Sequence, residues 1–287
     1  MHGERHEEQN RADADGQRER HSGTLTRAEG TDRVARYRES APGAAVLSFL
    51  FGLALAMDPA HTKLQDALTG RVSGGRVDYA GLRAAPQKLD AYLAEIGTVS
   101  LSALPAAEKK AFLINAYNAV TLDLVADNYP LKSIRDLDGG KVWSTRRFRV
   151  AGADRTLDEL EHTLLRPMGD PRIHAAVNCA AVGCPPLAST VFTAARLDAQ
   201  LDAVSRAWAA AATLAGGVLT VNAIFDWFGD DFLAGYGTAR FDIPGLDGKQ
   251  EAAANFIAAY APDKADALRR GGYRMVYAEY NWALNGK

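Results

Sequence analysis

The chain has 287 residues, and its 33 lysine and arginine residues nearly cancel its 35 aspartate and glutamate residues, which leaves a formal net charge of −2. This balance provides no basic surface for nucleic acid or for an anionic membrane, so we expect neither partner. The chain holds only two cysteines, both in one short segment, and that segment is the first place to look for thiol chemistry.

The N-terminal part predicts a secretory signal. Residues 1–40 hold almost no large apolar side chain, which is typical of a disordered extension or of a misassigned start, with the true start near Val34. Residues 41–56 contain an uncharged apolar run that follows three arginines and ends in small residues. The run is short for a membrane span, which needs about 20 residues. We expect cleavage after about Ala56 and export to the periplasm or beyond; an uncleaved anchor or a buried helix is the alternative.

Residues 57–287 are long enough for one domain with a full core. Periodicity and turn residues predict helices near residues 64–68, 89–96, 105–128, 156–165, 194–213, 226–236 and 248–260. Extended segments are predicted at residues 76–79, 147–150, 173–178, 218–225 and 273–280. Helices and strands alternate without a regular βαβ period, which favours an α+β fold with helices packed around a small, mostly antiparallel sheet.

The helix predicted at 105–128 carries polar residues on an otherwise apolar surface. Asn115 and Asn118 are three positions apart and therefore share one side of this helix. Buried amides need partners, so the two side chains either tie down a neighbouring loop or line a site, where they could donate to an oxyanion. Together with Tyr117 they are candidate binding residues, and both interpretations stay open.

A cluster of reactive side chains follows further along the chain. His174, Cys179 and Cys184 lie within one short segment, and a Glu161-His162 pair precedes it. Thiol, imidazole and carboxylate are the groups that nucleophilic catalysis requires. We predict Cys179 as the nucleophile, because the end of a strand can expose it. His174 or His162 would be its base and Glu161 the carboxylate that orients this base, with Cys184 in a binding role.

The same residues allow other interpretations. Cys179 and Cys184 could form a disulfide that closes a small loop in an exported protein, with no catalysis. The two cysteines could bind zinc with His162 and His174, although their spacing is slightly wider than that of the usual zinc pair. His174 could also be a hydrogen-bonded core residue. We predict no cofactor and no bound metal as the main hypothesis.

Residues 111–119, Ala-Phe-Leu-Ile-Asn-Ala-Tyr-Asn-Ala, resemble a hallmark of the domain-of-unknown-function 547 (DUF547) family. The resemblance continues in order through Ser133-Ile134-Arg135-Asp136, Leu160-Glu161-His162 with Leu165-Arg166-Pro167, Asp170-Pro171-Arg172-Ile173-His174, Cys179-Ala180, Gly183-Cys184-Pro185-Pro186-Leu187, Phe225-Asp226-Trp227-Phe228 with Asp231-Phe232, and Trp282-Ala283-Leu284-Asn285. It covers residues 75–285 and implies an α+β domain of the kind found in exported bacterial proteins and in longer eukaryotic proteins.

The motifs of the family include Glu161, His162, His174, Cys179 and Cys184. The family in turn distantly resembles papain-like or transglutaminase-like thiol enzymes, which implies a cysteine hydrolase or acyl-transfer enzyme acting on a peptide or amide bond. The leading hypothesis is therefore an exported thiol hydrolase with a small peptide or amide substrate. Its alternatives are a non-enzymatic periplasmic binding or scaffold domain stiffened by a disulfide, and a zinc protein.

Overall fold

The computed structural model describes residues 57–237 and 243–287. One compact unit spans Asp58–Lys287. The predicted extension and signal, at residues 1–40 and 41–56, lie outside the described residues. Within the described part of the chain, no helix has the length and apolar character that a membrane crossing requires.

Helices make up most of the fold. The α-helices are α1 (Thr62–Leu68), α2 (Tyr79–Ala84), α3 (Gln87–Ile96), α4 (Ala106–Asp127), α5 (Val142–Thr145), α6 (Leu197–Ala209), α7 (Ile224–Trp227), α8 (Gly229–Tyr236), α9 (Gly248–Tyr260) and α10 (Pro262–Arg270). A π-helix covers Glu159–Leu165. Short 3₁₀ turns occur at Leu101–Ala103, Ile134–Asp136, Asp138–Gly140, Arg166–Met168, Pro171–Ala175 and Ala194–Arg196.

The strands form small separate sheets. They are β1 (Val72–Ser73), β2 (Arg76–Val77), β3 (Phe148–Val150), β4 (Ala153–Arg155), β5 (Thr213–Ala215), β6 (Val218–Val221) and β7 (Arg274–Tyr277). The pairs β1-β2 and β3-β4 are antiparallel, and in the third sheet β6 pairs antiparallel with β5 and parallel with β7. The predicted α+β class is confirmed, with several small sheets in place of one.

Helix α4 forms the centre of the first half of the domain. It contacts α2, α3 and the π-helix, and nearly every residue from Ala111 to Ala126 is buried. A helix that is apolar on all sides belongs inside a protein, since each of its faces must be covered. The spacing of four apolar residues predicts α3, and all four are buried: Leu89, Tyr92, Leu93 and Ile96.

A second group of buried residues lies between α6, α8 and α9. Its aromatic rings pack closely: Trp208 stacks on Phe225 with ring centroids 4.3 Å apart, and Phe232 meets Phe256 edge to face at 5.3 Å. Offset and edge-to-face contacts of this kind add to the free energy gained by burying the rings. Asp231 lies on α8, within this second group of helices. It contacts the candidate site described below.

Two predicted strands are wrong in whole or in part. The segment predicted as a strand at 173–178 begins as the 3₁₀ turn Pro171–Ala175, because Asp170 caps the N–H of Arg172 and a proline fixes the first turn. The strand predicted at 218–225 ends at Val221, and α7 follows it. Helix α10 and strand β5 were not predicted.

Candidate functional site

Cys179 and Cys184 form a disulfide, with their Cα atoms 6.4 Å apart. The two residues differ in access to solvent: Cys179 is half-buried, whereas Cys184 is 8% exposed. Of the interpretations open from the sequence, the disulfide that closes a small loop is the one that the structure contains. In this oxidised state Cys179 is not a free thiolate, since both sulfurs are bonded to each other, and its predicted role as a nucleophile stays a prediction.

The chain just before the first cysteine is fastened to α4 by Asn118. Its side-chain amide donates to the carbonyl of Ala176 at 2.9 Å, and its Oδ1 accepts from the N–H of Asn178 at 2.9 Å. Asn115 holds Phe192 in the same way, at 2.7 and 3.0 Å. Both asparagines therefore tie down neighbouring segments, and the alternative in which they donate to an oxyanion is not supported, because their amide groups are used on the backbone.

Asn178, which the sequence did not single out, holds the disulfide loop from inside. Its Oδ1 accepts from the N–H of Ala180 at 2.9 Å and from the side chain of Asn285 at 3.1 Å, and its Nδ2 donates to the carbonyl of Pro185 at 2.9 Å. Ala180 has a left-handed backbone with φ of 62°, which costs free energy for a residue with a Cβ. The buried amide thus fixes both ends of the loop and offsets this strain.

Tyr280 lies directly on the disulfide. Its hydroxyl is 3.0 Å from Sγ of Cys179 and 3.1 Å from Sγ of Cys184, and the backbone N–H of Cys179 also donates to Sγ of Cys184 at 3.1 Å. Burial, and to a lesser extent the charge of Glu161, raise the pKa of Tyr280 above its ordinary value. The hydroxyl is therefore protonated at neutral pH and acts as a hydrogen-bond donor toward the sulfurs.

Glu161 is buried in the π-helix, and the start of this segment forms as predicted. The capping box is present, with Thr156 and Glu159 exchanging two 3.0 Å hydrogen bonds. The structure brings Glu161 close to His174, with Oε1 4.0 Å from Nδ1. Burial, followed by the charge and hydrogen bond of Glu161, raises the pKa of Tyr117 well above its ordinary value. Tyr117 is thus a buried partner of Glu161.

His174 is buried and faces carboxylates on both ring nitrogens. Its Nε2 lies 2.8 Å from Oδ2 of Asp231, and its ring stacks on Phe228 with centroids 4.1 Å apart. Arg166 holds Asp231 through two hydrogen bonds of 2.7 and 2.9 Å. Burial opposes ionisation, but the hydrogen bonds from His174 and Arg166 hold the pKa of Asp231 well below its usual range. Asp231 lies in one of the motifs that carry the family resemblance, but the sequence did not predict it as a site residue.

The two candidate bases therefore have different surroundings. Among the described residues, no hydrogen bond joins His174 to either sulfur, so the predicted Cys-His contact is absent from this arrangement. His162 is less buried; its Nδ1 lies 3.1 Å from Arg166 and its Nε2 3.8 Å from Asp158. Glu161 approaches His174 and not its sequence neighbour His162.

The structure gives no support to a zinc site. No group of three or more His, Cys, Asp or Glu side chains in residues 57–237 and 243–287 is arranged to hold a metal ion. A cavity between α8 and α9 contains none of the predicted site residues. It is lined by Leu233, Gly237, Leu246, Gly248 and Glu251.

The sequence model of the family described as "Protein of unknown function, DUF547" matches residues 101–208. This stretch contains α4, the π-helix and both cysteines, and over it the chain is similar to the DUF547 family. The match lies inside the range 75–285 over which the motifs indicate similarity. A papain-like relationship stays a prediction. No curated protein and no solved structure matches the chain.

Proposed function

We propose that the protein is a thiol–disulfide exchange enzyme whose redox centre is the Cys179–Cys184 pair. The observation that carries this proposal is the asymmetry of the two sulfurs. Cys179 is half-buried, whereas Cys184 is 8% exposed and accepts the backbone N–H of Cys179; the hydroxyl of Tyr280 lies within 3.1 Å of both sulfurs. In exchange reactions one sulfur is attacked and the other leaves, and a leaving thiol of lower pKa leaves faster.

The reaction begins when a substrate thiolate attacks Sγ of Cys179. A bond forms between the substrate sulfur and Cys179, the Cys179–Cys184 bond breaks, and its electron pair stays on Cys184 as a thiolate. A second thiol of the substrate then attacks the substrate sulfur of the mixed disulfide and displaces Cys179. The substrate dithiol is oxidised to a disulfide, the protein disulfide is reduced to a dithiol, and the two protons released by the substrate end on the cysteines.

The surroundings of Cys184 favour its role as the leaving group. The N–H of Cys179 and the hydroxyl of Tyr280 both lie 3.1 Å from its sulfur. Hydrogen bonds to the charged form of a group favour that form, so both donors favour departure of Cys184 as a thiolate. Because Asn178 fixes the loop from inside, the two sulfurs stay close together after reduction and can be oxidised again. The export predicted for the chain would place the pair in an oxidising compartment.

The cysteine hydrolase predicted from the sequence is the second candidate, and one distance favours it. Oε1 of Glu161 lies 4.0 Å from Nδ1 of His174, so the predicted base and its carboxylate are neighbours, although the distance is longer than a hydrogen bond. Hydrolysis of a peptide or amide bond would also require reduction of the disulfide and movement of His174 from Asp231 toward Cys179. The two candidates differ in their resting state, because a hydrolase needs a free thiolate and an exchange enzyme needs the disulfide.

The test is to equilibrate the full chain in mixtures of reduced and oxidised dithiothreitol and to quench the samples with acid. The free thiols are then alkylated, and mass spectrometry gives the fraction of protein that is reduced. We expect a reversible two-electron couple in the folded protein, with its circular dichroism unchanged. The matched variants Cys184→Ser and Cys179→Ser separate the two sulfurs. Cys179 in the first variant should form a mixed disulfide with oxidised glutathione at least about tenfold faster than Cys184 in the second.

Other outcomes contradict the proposal. A disulfide that is reduced only when the protein unfolds would support the scaffold alternative. Equal rates for the two single-cysteine variants would remove the asymmetry on which the exchange reaction depends. Cleavage of an amide or ester substrate by the reduced wild-type protein, lost in Cys179→Ser, would favour the hydrolase instead.

A further inference from the structure

A group of half-buried aromatic rings adjoins the disulfide. This aromatic surface consists of Trp143, Trp227, Tyr280 and Trp282. The ring of Tyr280, whose hydroxyl contacts both sulfurs, lies 4.7 Å from Trp227 and 4.6 Å from Trp282 between centroids. Trp143 meets Trp282 edge to face at 5.8 Å. The rings thus form one connected patch that begins at the sulfurs and extends away from them.

The disulfide loop adds an exposed apolar side chain beside this patch. Val182 is 38% exposed, and among the described residues only Val182 and Leu233 are large hydrophobic residues with exposed side chains. The N–H of Val182 donates to the carbonyl of Ala283, and the N–H of Gly183 to that of Asn281, both at 2.8 Å. These bonds join the loop to the chain that carries Tyr280 and Trp282, so Val182 and the rings are contiguous.

We infer that the aromatic surface and Val182 bind the apolar residues that flank a cysteine in a polypeptide substrate. This inference rests on the proposed exchange function and names its substrate class. An attacking thiol must approach Cys179 next to these side chains, and apolar residues beside that thiol would remove their remaining exposed area from water. A small polar thiol such as glutathione has no apolar group to place there.

The composition of the patch agrees with a polypeptide partner. Tryptophan, tyrosine and arginine are the residue types enriched at the centres of protein interfaces. The guanidinium of Arg135 lies over Trp282, 5.1 Å from the ring centroid, and adds such an arginine to the edge of the patch. The rings beside the disulfide are only half-buried, so part of each ring is open to a partner.

The test compares two synthetic peptides of equal length and net charge, each with one cysteine. Leucine and phenylalanine flank the cysteine in one peptide, and serine and asparagine in the other, with matched thiol pKa values. The oxidised wild-type chain is mixed with each peptide, with glutathione or with dithiothreitol, and opening of the Cys179–Cys184 bond is followed by acid quench and mass spectrometry. We expect the apolar peptide to react at least about tenfold faster than the polar peptide and glutathione.

A matched pair of variants locates the effect. Val182→Asp should lower the ratio of the apolar-peptide rate to the polar-peptide rate severalfold. Leu233→Asp, which places the same charge at an equally exposed hydrophobic residue on α8, should leave that ratio unchanged. If Val182→Asp fails to fold by circular dichroism, Trp282→Ser serves as the second variant and should lower the same ratio.

The outcomes separate the two proposals. Equal rates for the two peptides, with normal reduction by dithiothreitol, would overturn the polypeptide inference and leave the exchange function standing. An equal fall of the ratio in Leu233→Asp and Val182→Asp would overturn it as well. A disulfide that dithiothreitol does not open in the folded protein would instead overturn the exchange function itself.

Discussion

Replacing Tyr280 by phenylalanine removes one hydroxyl from the disulfide and keeps the aromatic ring. In the wild-type chain this hydroxyl lies 3.1 Å from Sγ of Cys184, the sulfur that leaves as a thiolate in the proposed reaction. A hydrogen bond to a charged group contributes about 1.5–3 kcal/mol. Since about 1.4 kcal/mol corresponds to a tenfold change, the variant should be reduced by dithiothreitol about 10- to 100-fold more slowly.

The assay is the second-order rate constant for reduction of the folded, oxidised protein, taken from acid-quenched samples. Tyr273→Phe is the matched control. Its hydroxyl is also buried and donates to the carbonyl of Leu268 at 3.1 Å, but it does not contact either sulfur. The control variant should lose stability without losing rate. Because burial and the charge of Glu161 raise the pKa of Tyr280, the effect of Tyr280→Phe should be the same at neutral and mildly alkaline pH.

An unchanged rate in Tyr280→Phe would contradict the proposed role of this hydroxyl, because it would then make no contribution to the departure of Cys184. A rate that falls only at alkaline pH would refute it in another way, since it would require ionisation of the tyrosine itself. Equal slowing in Tyr273→Phe would show that the effect comes from general loss of stability.

Further predictions concern stability. Burial lowers the pKa of His61 to about 4 from an ordinary value of 6.5, so the unfolded chain binds the proton first as pH falls. The stability that the neutral His61 contributes is complete above pH 6.5 and is lost progressively as pH falls toward 4. The free energy of unfolding in urea should therefore fall by about 2 kcal/mol more between pH 7 and pH 5 in the wild type than in His61→Asn. Equal falls in the two proteins would contradict this prediction. Asn178→Ala leaves several buried backbone and side-chain groups without partners, so thermal unfolding should show a free energy of unfolding lower by at least about 2 kcal/mol. A loss as small as that at an exposed site would show that the loop does not depend on this amide. Asp231→Asn leaves Arg166 and His174 without their carboxylate, which should cost about 3 kcal/mol in urea unfolding; full stability in the variant would mean that the charge is not needed there.

The parts of the fold that local signals encode were predictable. A proline at the start and a continuous apolar pattern predicted α4, which spans Ala106–Asp127. The Thr156 and Glu159 pattern predicted a capping box, and both of its hydrogen bonds form. In each case the residues that determine the structure lie within a few positions of one another, so a single sequence contains the information.

The parts that depend on long-range contacts were not predictable. Tyr280 reaches Cys179 across 101 positions and Asp231 reaches His174 across 57, and no local pattern connects these residues. The segment 173–178 was predicted as a strand because a short apolar run does not distinguish a buried strand from another buried segment. The turn Pro171–Ala175, which Asp170 caps, forms in place of the first part of this strand. It holds His174 where the ring contacts Asp231 and Glu161.

The hydrogen bonds on Cys184 support the proposed exchange function. Sulfur in a neutral disulfide is a weak acceptor, so a loop closure gains little from the hydroxyl of Tyr280 and the N–H of Cys179. The same two donors become strong partners only when Cys184 carries a negative charge, because hydrogen bonds to ions are roughly twice as strong as neutral ones. They therefore stabilise the reduced state more than the oxidised state. A pair arranged in this way would be easier to reduce, as the proposed exchange reaction requires and a permanent crosslink does not.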